Sequence, residues 1–501
     1  MTIALVLEMA VSGDPDRIAV VDGDLRWTTA RLNEMADGAA GVIAGSGGRH
    51  VSYVGTGGAM LPLLAFASAR AGVPLTPLNY RLSAENLHQL INRLPEPLIV
   101  ADPAYLDSVQ GLGKAVLSSD ELLEQARTAE PAAEFPDGDD PAIVLFTSGT
   151  TSQPKAVELS HNNLTSYVMT TVEFASAAPE DAALVCVPPY HVAGVGAALS
   201  NLYAGRRIIY QRQFDPRAWL QLVRDEKVTT ATVVPTMLDR IITAFEQEPV
   251  EIPTLRNLAY GGSKVGLPLV RKTMELLPHV GLVNAYGLTE TSSTVAVLTP
   301  EDHRIAFESS DEKIARRLGS VGKAVPGVEF QIRDENGNVL PPGQTGELFL
   351  RGPQVSGRYR GIGSVLDADG WFPTKDIAML DEDGYLFIGG RSDDTIIRGG
   401  ENIAPSEIED VLIEHPAVHE LAVVGLEDEE WGQIIVAVVV PEPGTDPSVE
   451  ELRDFCRRRL RGSRTPDRVE FRDSLPTTPT GKVLRREIVA DLSRAATQKA
   501  S

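Results

Sequence analysis

Hydroxyl, glycine and lysine side chains crowd one short stretch, Thr147-Ser148-Gly149-Thr150-Thr151-Ser152-Gln153-Pro154-Lys155. Such a loop turns successive backbone N–H groups and hydroxyls towards an anion, and its lysine adds a point charge, so phosphate is the ligand its composition suits. The apolar run before it, Ala142 to Phe146, predicts a buried strand. The P-loop pattern G-x-x-x-x-G-K-[ST] does not fit. Counting from Gly149, Pro154 holds the second glycine's place, and Ala156 rather than Ser or Thr follows Lys155. Taken by itself, the stretch is equally an ordinary Ser/Thr-rich surface loop. A second glycine-rich turn, Gly55-Thr56-Gly57-Gly58, invites comparison with a dinucleotide fingerprint, but Met60 stands where the third glycine belongs and that reading is rejected.

Further motifs follow in order: Ser160-His161-Asn162-Asn163-Leu164, Tyr286-Gly287-Leu288-Thr289-Glu290, Gly346-Glu347-Leu348, Trp371 to Asp376, Gly390-Arg391-Ser392-Asp393 and Pro479-Thr480-Gly481-Lys482. In this order and at these separations the set resembles the adenylate-forming superfamily of acyl-CoA and aryl-CoA synthetases, peptide-synthetase adenylation domains and luciferases. The resemblance runs from Thr28 to Arg486, nearly the whole chain. It implies a ligase that uses ATP, Mg2+ and coenzyme A. A carboxylate attacks the α-phosphate of ATP, pyrophosphate leaves, and the thiol of coenzyme A then displaces AMP from the acyl-adenylate. The first step gathers negative charge in one place and needs cations and oriented donors.

The resemblance also implies roles. Thr147, Ser148, Gly149, Thr150, Thr151 and Lys155 would hold pyrophosphate. Glu290 would hold Mg2+ through one carboxylate oxygen, with water and phosphate completing the shell. Thr289 would reach the α-phosphate. Tyr286, beside Gly287, offers a flat face to adenine; in isolation the same residue reads as a packed core aromatic at a turn. Gly261 and Gly262, with Ser263, would let the backbone approach the base closely, and Asn284 would hydrogen-bond it. Asp376 would accept hydrogen bonds from the ribose hydroxyls, with Arg391 a second ribose or phosphate contact; the bland alternative pairs Asp376 with Lys375 at the surface. Lys482 would reach the carboxylate and the α-phosphate. Asp393 matches a hinge about which a small domain turns between half-reactions. After that turn, Gly399 and Gly400, within Arg398 to Asn402, would face the crevice beside the pantetheine. His191, in Pro188-Pro189-Tyr190-His191, resembles a gating aromatic motif beside the acyl site; the alternative is a satisfied core histidine.

The chain departs from the family pattern at Ser152 and Ala156, where glycines are usual, and at Lys375, where Thr-Gly-Asp is the common form. If position 375 needs a positive φ, lysine there costs about 1 kcal/mol. Peptide-synthetase domains carry an aspartate for the substrate ammonium where this chain has Pro188 to Gly194, without a carboxylate. An unpaired ammonium in an apolar pocket is costly, so the acid expected is fatty or aromatic. Three readings stay open: an acyl-CoA synthetase, a ligase that loads a carrier protein, and a nucleotide-binding relative without turnover.

Elements that could position these groups are legible around them. Apolar strand-like runs alternate with helical patterns through the first 300 residues or so, which predicts a layered α/β architecture. The strand-like runs 183–187, 229–234, 255–260 and 281–285 each end in small or functional residues, and ligands bind at the carboxyl ends of strands in such folds. From Val321 short β pieces predict a β-rich subdomain. Beyond Asp393 a compact α+β unit is expected, giving domains 1–392 and 393–501, with a frayed tail after Leu492. A length of 501 residues fits more than one domain. The net charge of −23 argues against nucleic-acid or anionic-membrane partners. Cys186 and Cys456 read as buried reduced thiols. Without a basic leader or a long apolar run, the protein is expected to be cytoplasmic with no transmembrane segment, while the sequence leaves its oligomeric state open.

Overall fold

The structure is a computed structural model that describes residues 1–112, 115–132, 136–147, 154–478 and 481–500, with side chains up to Arg494. The phosphate-loop residues Ser148, Gly149, Thr150 and Thr151 lie outside the described residues, as do Pro479 and Thr480. Among the described residues, two large sheets carry the N-terminal part. One has nine strands in the order Lys323–Ala324, Ser293–Leu298, Gly281–Leu288, Asn257–Gly261, Thr230–Val233, Ala182–Val185, Arg207–Tyr210, Ile18–Asp22 and Leu25–Thr28. The other has eight, and Pro141–Thr147 lies within it between Leu75–Leu78 and Lys155–Ser160.

Between the sheets lies the helix Met60–Arg70, all of whose residues are buried. A helix that is apolar on every side can only sit inside, since it has no face to offer water. Its residues Leu63, Leu64 and Phe66 join one apolar cluster with Val51 and Leu75 of the eight-stranded sheet and Val20 and Ile208 of the nine-stranded sheet. A second cluster, built on Trp219, Leu238 and Ile241, covers the other face of the nine-stranded sheet. Helices thus pack against both sheets, whose edges carry the candidate site residues.

A four-stranded antiparallel sheet follows, in the order Glu329–Arg333, Thr345–Arg351, Phe372–Leu380 and Leu386–Arg391. Beyond it, Val418–Asp428, Gly432–Pro441 and Arg468–Phe471 form a smaller sheet around Ile435, Ala437 and Leu452. This is the large N-terminal and small C-terminal α/β arrangement read from the alternating pattern. Contacts join the two: Lys264 pairs with Asp410 at 2.5 Å, and the Ser406 hydroxyl donates to the Gly389 carbonyl. The tail departs from expectation. Instead of fraying after Leu492, the backbone is helical over Arg485–Ala500. The Ala, Arg, Gln and Lys of that segment are strong helix formers, and Ile488 and Leu492 anchor its inner side. Among the described residues no helix is long and apolar enough to cross a membrane.

Two buried histidines tie the large domain together in neutral form. His161 Nδ1 accepts the Ile3 amide at 3.2 Å, and desolvation pulls its pKa down to about 4. His50 lies against the Thr76 hydroxyl, and desolvation lowers its pKa to about 3. The unfolded chain protonates these rings near pH 6.5 and the native protein does not, so stability is full above that pH and falls as pH drops towards 4. Each histidine contributes a slope of about 1.4 kcal/mol per pH unit in that window. Urea unfolding midpoints at pH 7.5 and pH 5 will show the loss, and His161→Gln will flatten part of it.

Candidate active site

Four consecutive parallel strands supply one wall. Asn257–Gly261 pairs in parallel with both Thr230–Val233 and Gly281–Leu288, and Thr230–Val233 pairs in parallel with Ala182–Val185. Their carboxyl ends therefore emerge on one edge, as the four motif-bearing strand ends require. Gly261, Tyr286 and Gly287 lie in the last residues of these strands, and Gly262, Ser263 and His191 follow strand ends. The eight-stranded sheet brings Thr147 and Lys155, which face each other in register at the mouth of the phosphate loop. The four-stranded sheet brings Asp376 and Arg391, also paired in register.

Asp376 is the best-held group. It is only 4% exposed and accepts from the Tyr286 hydroxyl and from Arg391 at 2.9 Å. Its own amide donates to Thr374 Oγ1 at 3.0 Å. A buried carboxylate is costly unless paired, and here both oxygens are engaged. Desolvation, reinforced by the Asp376 charge, drives the Tyr286 hydroxyl well above its ordinary pKa, so it stays a donor. Burial works against the Arg391 cation, but Asp376 outweighs it and raises the pKa. The surface pairing of Asp376 with Lys375 does not occur; Lys375 Nζ lies 3.5 Å from both carboxylate oxygens of Asp393 instead.

Lys482 joins this group from the C-terminal part. Desolvation lowers its pKa, Arg391 lowers it further, and Asp376 and Asp394 oppose the shift. The residue as a whole is nonetheless exposed. Just before it, Gly481 packs on the N-terminal part: a Cβ there would lie 2.5 Å from Thr236 Cγ2. The hairpin formed by Ile396–Arg398 and Glu401–Ile403 is not brought in. Its turn residues Gly399 and Gly400 are exposed, and Arg398 pairs with Asp467 at 2.7 Å while stacking on Trp431.

Glu290 and Thr289 lie in a single 3-10 turn, Thr289–Thr291, after the Gly281–Leu288 strand. The Glu290 carbonyl accepts from Ser356 N at 2.8 Å, and Oε1 accepts from the Tyr359 hydroxyl at 2.8 Å. Asn284 donates its amide to the Ser320 carbonyl at 3.2 Å, which occupies one of the groups expected to meet the base. Gly261 also has a reason within the fold: a Cβ there would sit 2.1 Å from the Ala285 carbonyl oxygen, so the neighbouring strand already demands glycine. His191 stands 5.0 Å from the Tyr190 ring, centroid to centroid, and desolvation lowers its pKa to about 4. It is neutral at pH 7. Desolvation pushes the Cys186 thiol up to about 12 and the Cys456 thiol to about 11, so neither is a nucleophile.

Three residues that sequence reasoning did not single out also reach the site: Tyr359, Thr236 and Arg93, whose guanidinium donates to the Pro154 carbonyl at 2.8 Å beside the phosphate loop. Tyr359 meets Glu290 across 69 positions of sequence, a separation no local pattern encodes.

Lys375 adopts φ 63°, a conformation that suits glycine and strains a residue with a Cβ. Its ion pair with Asp393 is half-exposed and returns at most about 1 kcal/mol. Lys375→Gly is therefore expected to unfold at higher urea than Lys375→Ala, by about 1 kcal/mol, because both lose the charge and only glycine loses the strain.

Comparison with known proteins bears on this geometry. The model of the AMP-binding enzyme family matches residues 7–360, and that of the AMP-binding enzyme C-terminal domain matches residues 407–482. A fatty acid–[acyl-carrier-protein] ligase, ScoC, from Streptomyces coeruleorubidus is 32% identical over 95% of this chain and 93% of its own length. A feruloyl-CoA synthase from an Amycolatopsis species is 33% identical over 95% of this chain and 96% of its own. Among solved structures, ATP-bound MatB from Rhodopseudomonas palustris superposes with a TM-score of 0.87 at 28% identity, over 98% of this chain and 99% of that one. The Bacillus subtilis o-succinylbenzoate CoA synthetase MenE, in complex with its acyl-adenylate, gives 0.84 at 27%, over 96% and 97%. With both family models matched in order over a site of this composition, the chain belongs to the AMP-binding enzyme family, the adenylate-forming acyl- and aryl-CoA ligases.

Proposed function

We propose that the protein activates a fatty or aromatic carboxylic acid with ATP and Mg2+ to an acyl-adenylate, releasing pyrophosphate, and transfers the acyl group to coenzyme A. The observation that carries the first step is the buried Asp376–Arg391 pair, with Gly481, the residue before Lys482, packed on Thr236 of the N-terminal part. In this reading Asp376 accepts from the ribose hydroxyls, and Tyr286 presents its ring to adenine. Gly261, Gly262, Ser263 and Asn284 border the base. Thr289 and Lys482 meet the α-phosphate, where the charge of the attacking carboxylate and of the nucleotide must be offset. Thr147, Lys155 and the intervening loop hold the departing pyrophosphate.

Glu290 suits an ion that arrives with the nucleotide. Tyr359 takes Oε1, and the other carboxylate oxygen would hold the metal, with phosphate and water as its further ligands. Bound there, Mg2+ would neutralise charge on the phosphates. No side-chain nucleophile is needed, because both attacking groups belong to substrates.

An acid without an amine is supported by the segment after the gating histidine. Val192–Ala204 opens with Val192, Ala193, Gly194, Val195 and Gly196, and nothing there balances an ammonium. A Cβ on Gly196 would stand 3.2 Å from Ser293 Oγ and 3.4 Å from the Tyr167 ring, so the missing side chain leaves these two groups as neighbours of the helix start.

Asp393, between the last strand of the four-stranded sheet and the C-terminal unit, is the hinge of this reading, with domains 1–392 and 393–501. Swinging about it would withdraw Lys482 and bring Gly399 and Gly400 to the crevice beside pantetheine. A second reading, transfer to a carrier protein, is favoured by one observation: the likeness to a relative named for that activity.

Lys482→Ala is expected to lower adenylate formation at least about a hundredfold and to leave thioester formation from supplied acyl-adenylate within about threefold. Pre-steady-state assay of each half-reaction checks this, and equal loss in both steps contradicts the hinge assignment. Asp376→Ala is expected to raise the KM for ATP about tenfold or more, the cost of a lost charge-assisted hydrogen bond; an unchanged KM and kcat rule out the ribose role.

A further inference from the structure

The Tyr359 hydroxyl stands at the junction of the three elements that would handle the phosphates. Its oxygen donates to Glu290 Oε1 at 2.8 Å. Its backbone bridges to Val157 on the strand that leaves the phosphate loop. Its ring carries Lys155 Nζ at 5.3 Å from the centroid. The side chain is nearly buried, at 9% exposure, and desolvation, together with the Glu290 charge, raises its pKa further, so it donates and does not ionise. The neighbouring backbone pins the same glutamate from the other end, since Ser356 N donates to the Glu290 carbonyl at 2.8 Å.

We infer that Tyr359 is a positioning residue that fixes the rotamer of Glu290, so that one oxygen is spent and the other is presented to the cation travelling with ATP. The inference rests on Glu290 as the metal-holding carboxylate. A glutamate side chain has three rotatable bonds, and a single-carboxylate site has no second protein ligand to orient it. Holding one oxygen by a phenolic donor removes that freedom before the nucleotide arrives. The same ring places the Lys155 cation on its face, so the metal-holding and phosphate-holding charges share one anchor.

The test is Tyr359→Phe, which keeps the ring, the Lys155 stacking and the Val157 bridge and removes only the hydroxyl. Mn2+ is titrated into enzyme with excess non-hydrolysable ATP analogue and followed by electron paramagnetic resonance, beside analogue binding in EDTA. The expected result is a Mn2+ affinity about tenfold weaker in Tyr359→Phe, metal-free analogue binding unchanged, and no additional loss when Tyr359→Phe is added to Glu290→Gln. If Glu290→Gln weakens Mn2+ and Tyr359→Phe does not, the positioning role is overturned while the glutamate's role stands. If Glu290→Gln itself leaves Mn2+ affinity unchanged, the metal assignment falls and the inference falls with it. Additive losses in the double variant also overturn it, since the hydroxyl would then act other than through Glu290.

Discussion

A buried carboxylate is the constraint around which this protein is arranged. Asp376 sits in the interior with one oxygen on Tyr286 and the other on Arg391. Removing either partner would strand a charge in a poorly solvated place, and such a loss typically costs several kcal/mol. The three residues come from two different sheets, so satisfying the carboxylate fixes how the four-stranded sheet docks on the nine-stranded one. From the C-terminal part, Gly481, just before Lys482, packs on Thr236. The buried carboxylate thereby ties the docking of the two sheets to the candidate site.

Much of this was legible in the chain because parallel α/β sheets announce themselves. Strands buried on both faces read as short apolar runs with small residues at their ends; Gly261 closes its strand, while the strand expected to end at Ala285 runs on through Tyr286 to Leu288. The reason for Gly261 was not legible. Its missing side chain is required by the Ala285 carbonyl of the next strand, a contact between segments that sequence does not connect. Tyr359 was missed for the same cause, as its partner Glu290 is remote in sequence. The tail misled because its Ala, Thr and Lys composition suggested disorder, whereas packing through Ile488 and Leu492 supports a helix.

Lys375 shows how a departure from a family pattern can be read physically. The site demands a left-handed backbone just before Asp376, and lysine accepts that conformation at φ 63°. In exchange, its ammonium reaches Asp393, just beyond the last strand of the four-stranded sheet. The strain and the pair act on the same short segment, which links the strand carrying Asp376 to Asp393. In the structure Gly481, just before Lys482, packs on Thr236, while Gly399 and Gly400 are turned to solvent.

The central claim is that this site joins an acid to AMP and releases pyrophosphate reversibly. The most direct measurement is exchange of labelled pyrophosphate into ATP, without coenzyme A, across a panel of fatty, aromatic and amino acids. The account predicts exchange that depends on the added acid, is strongest with an amine-free fatty or aromatic acid, and is abolished in Lys482→Ala. Exchange without any acid, or with amino acids alone, would contradict it.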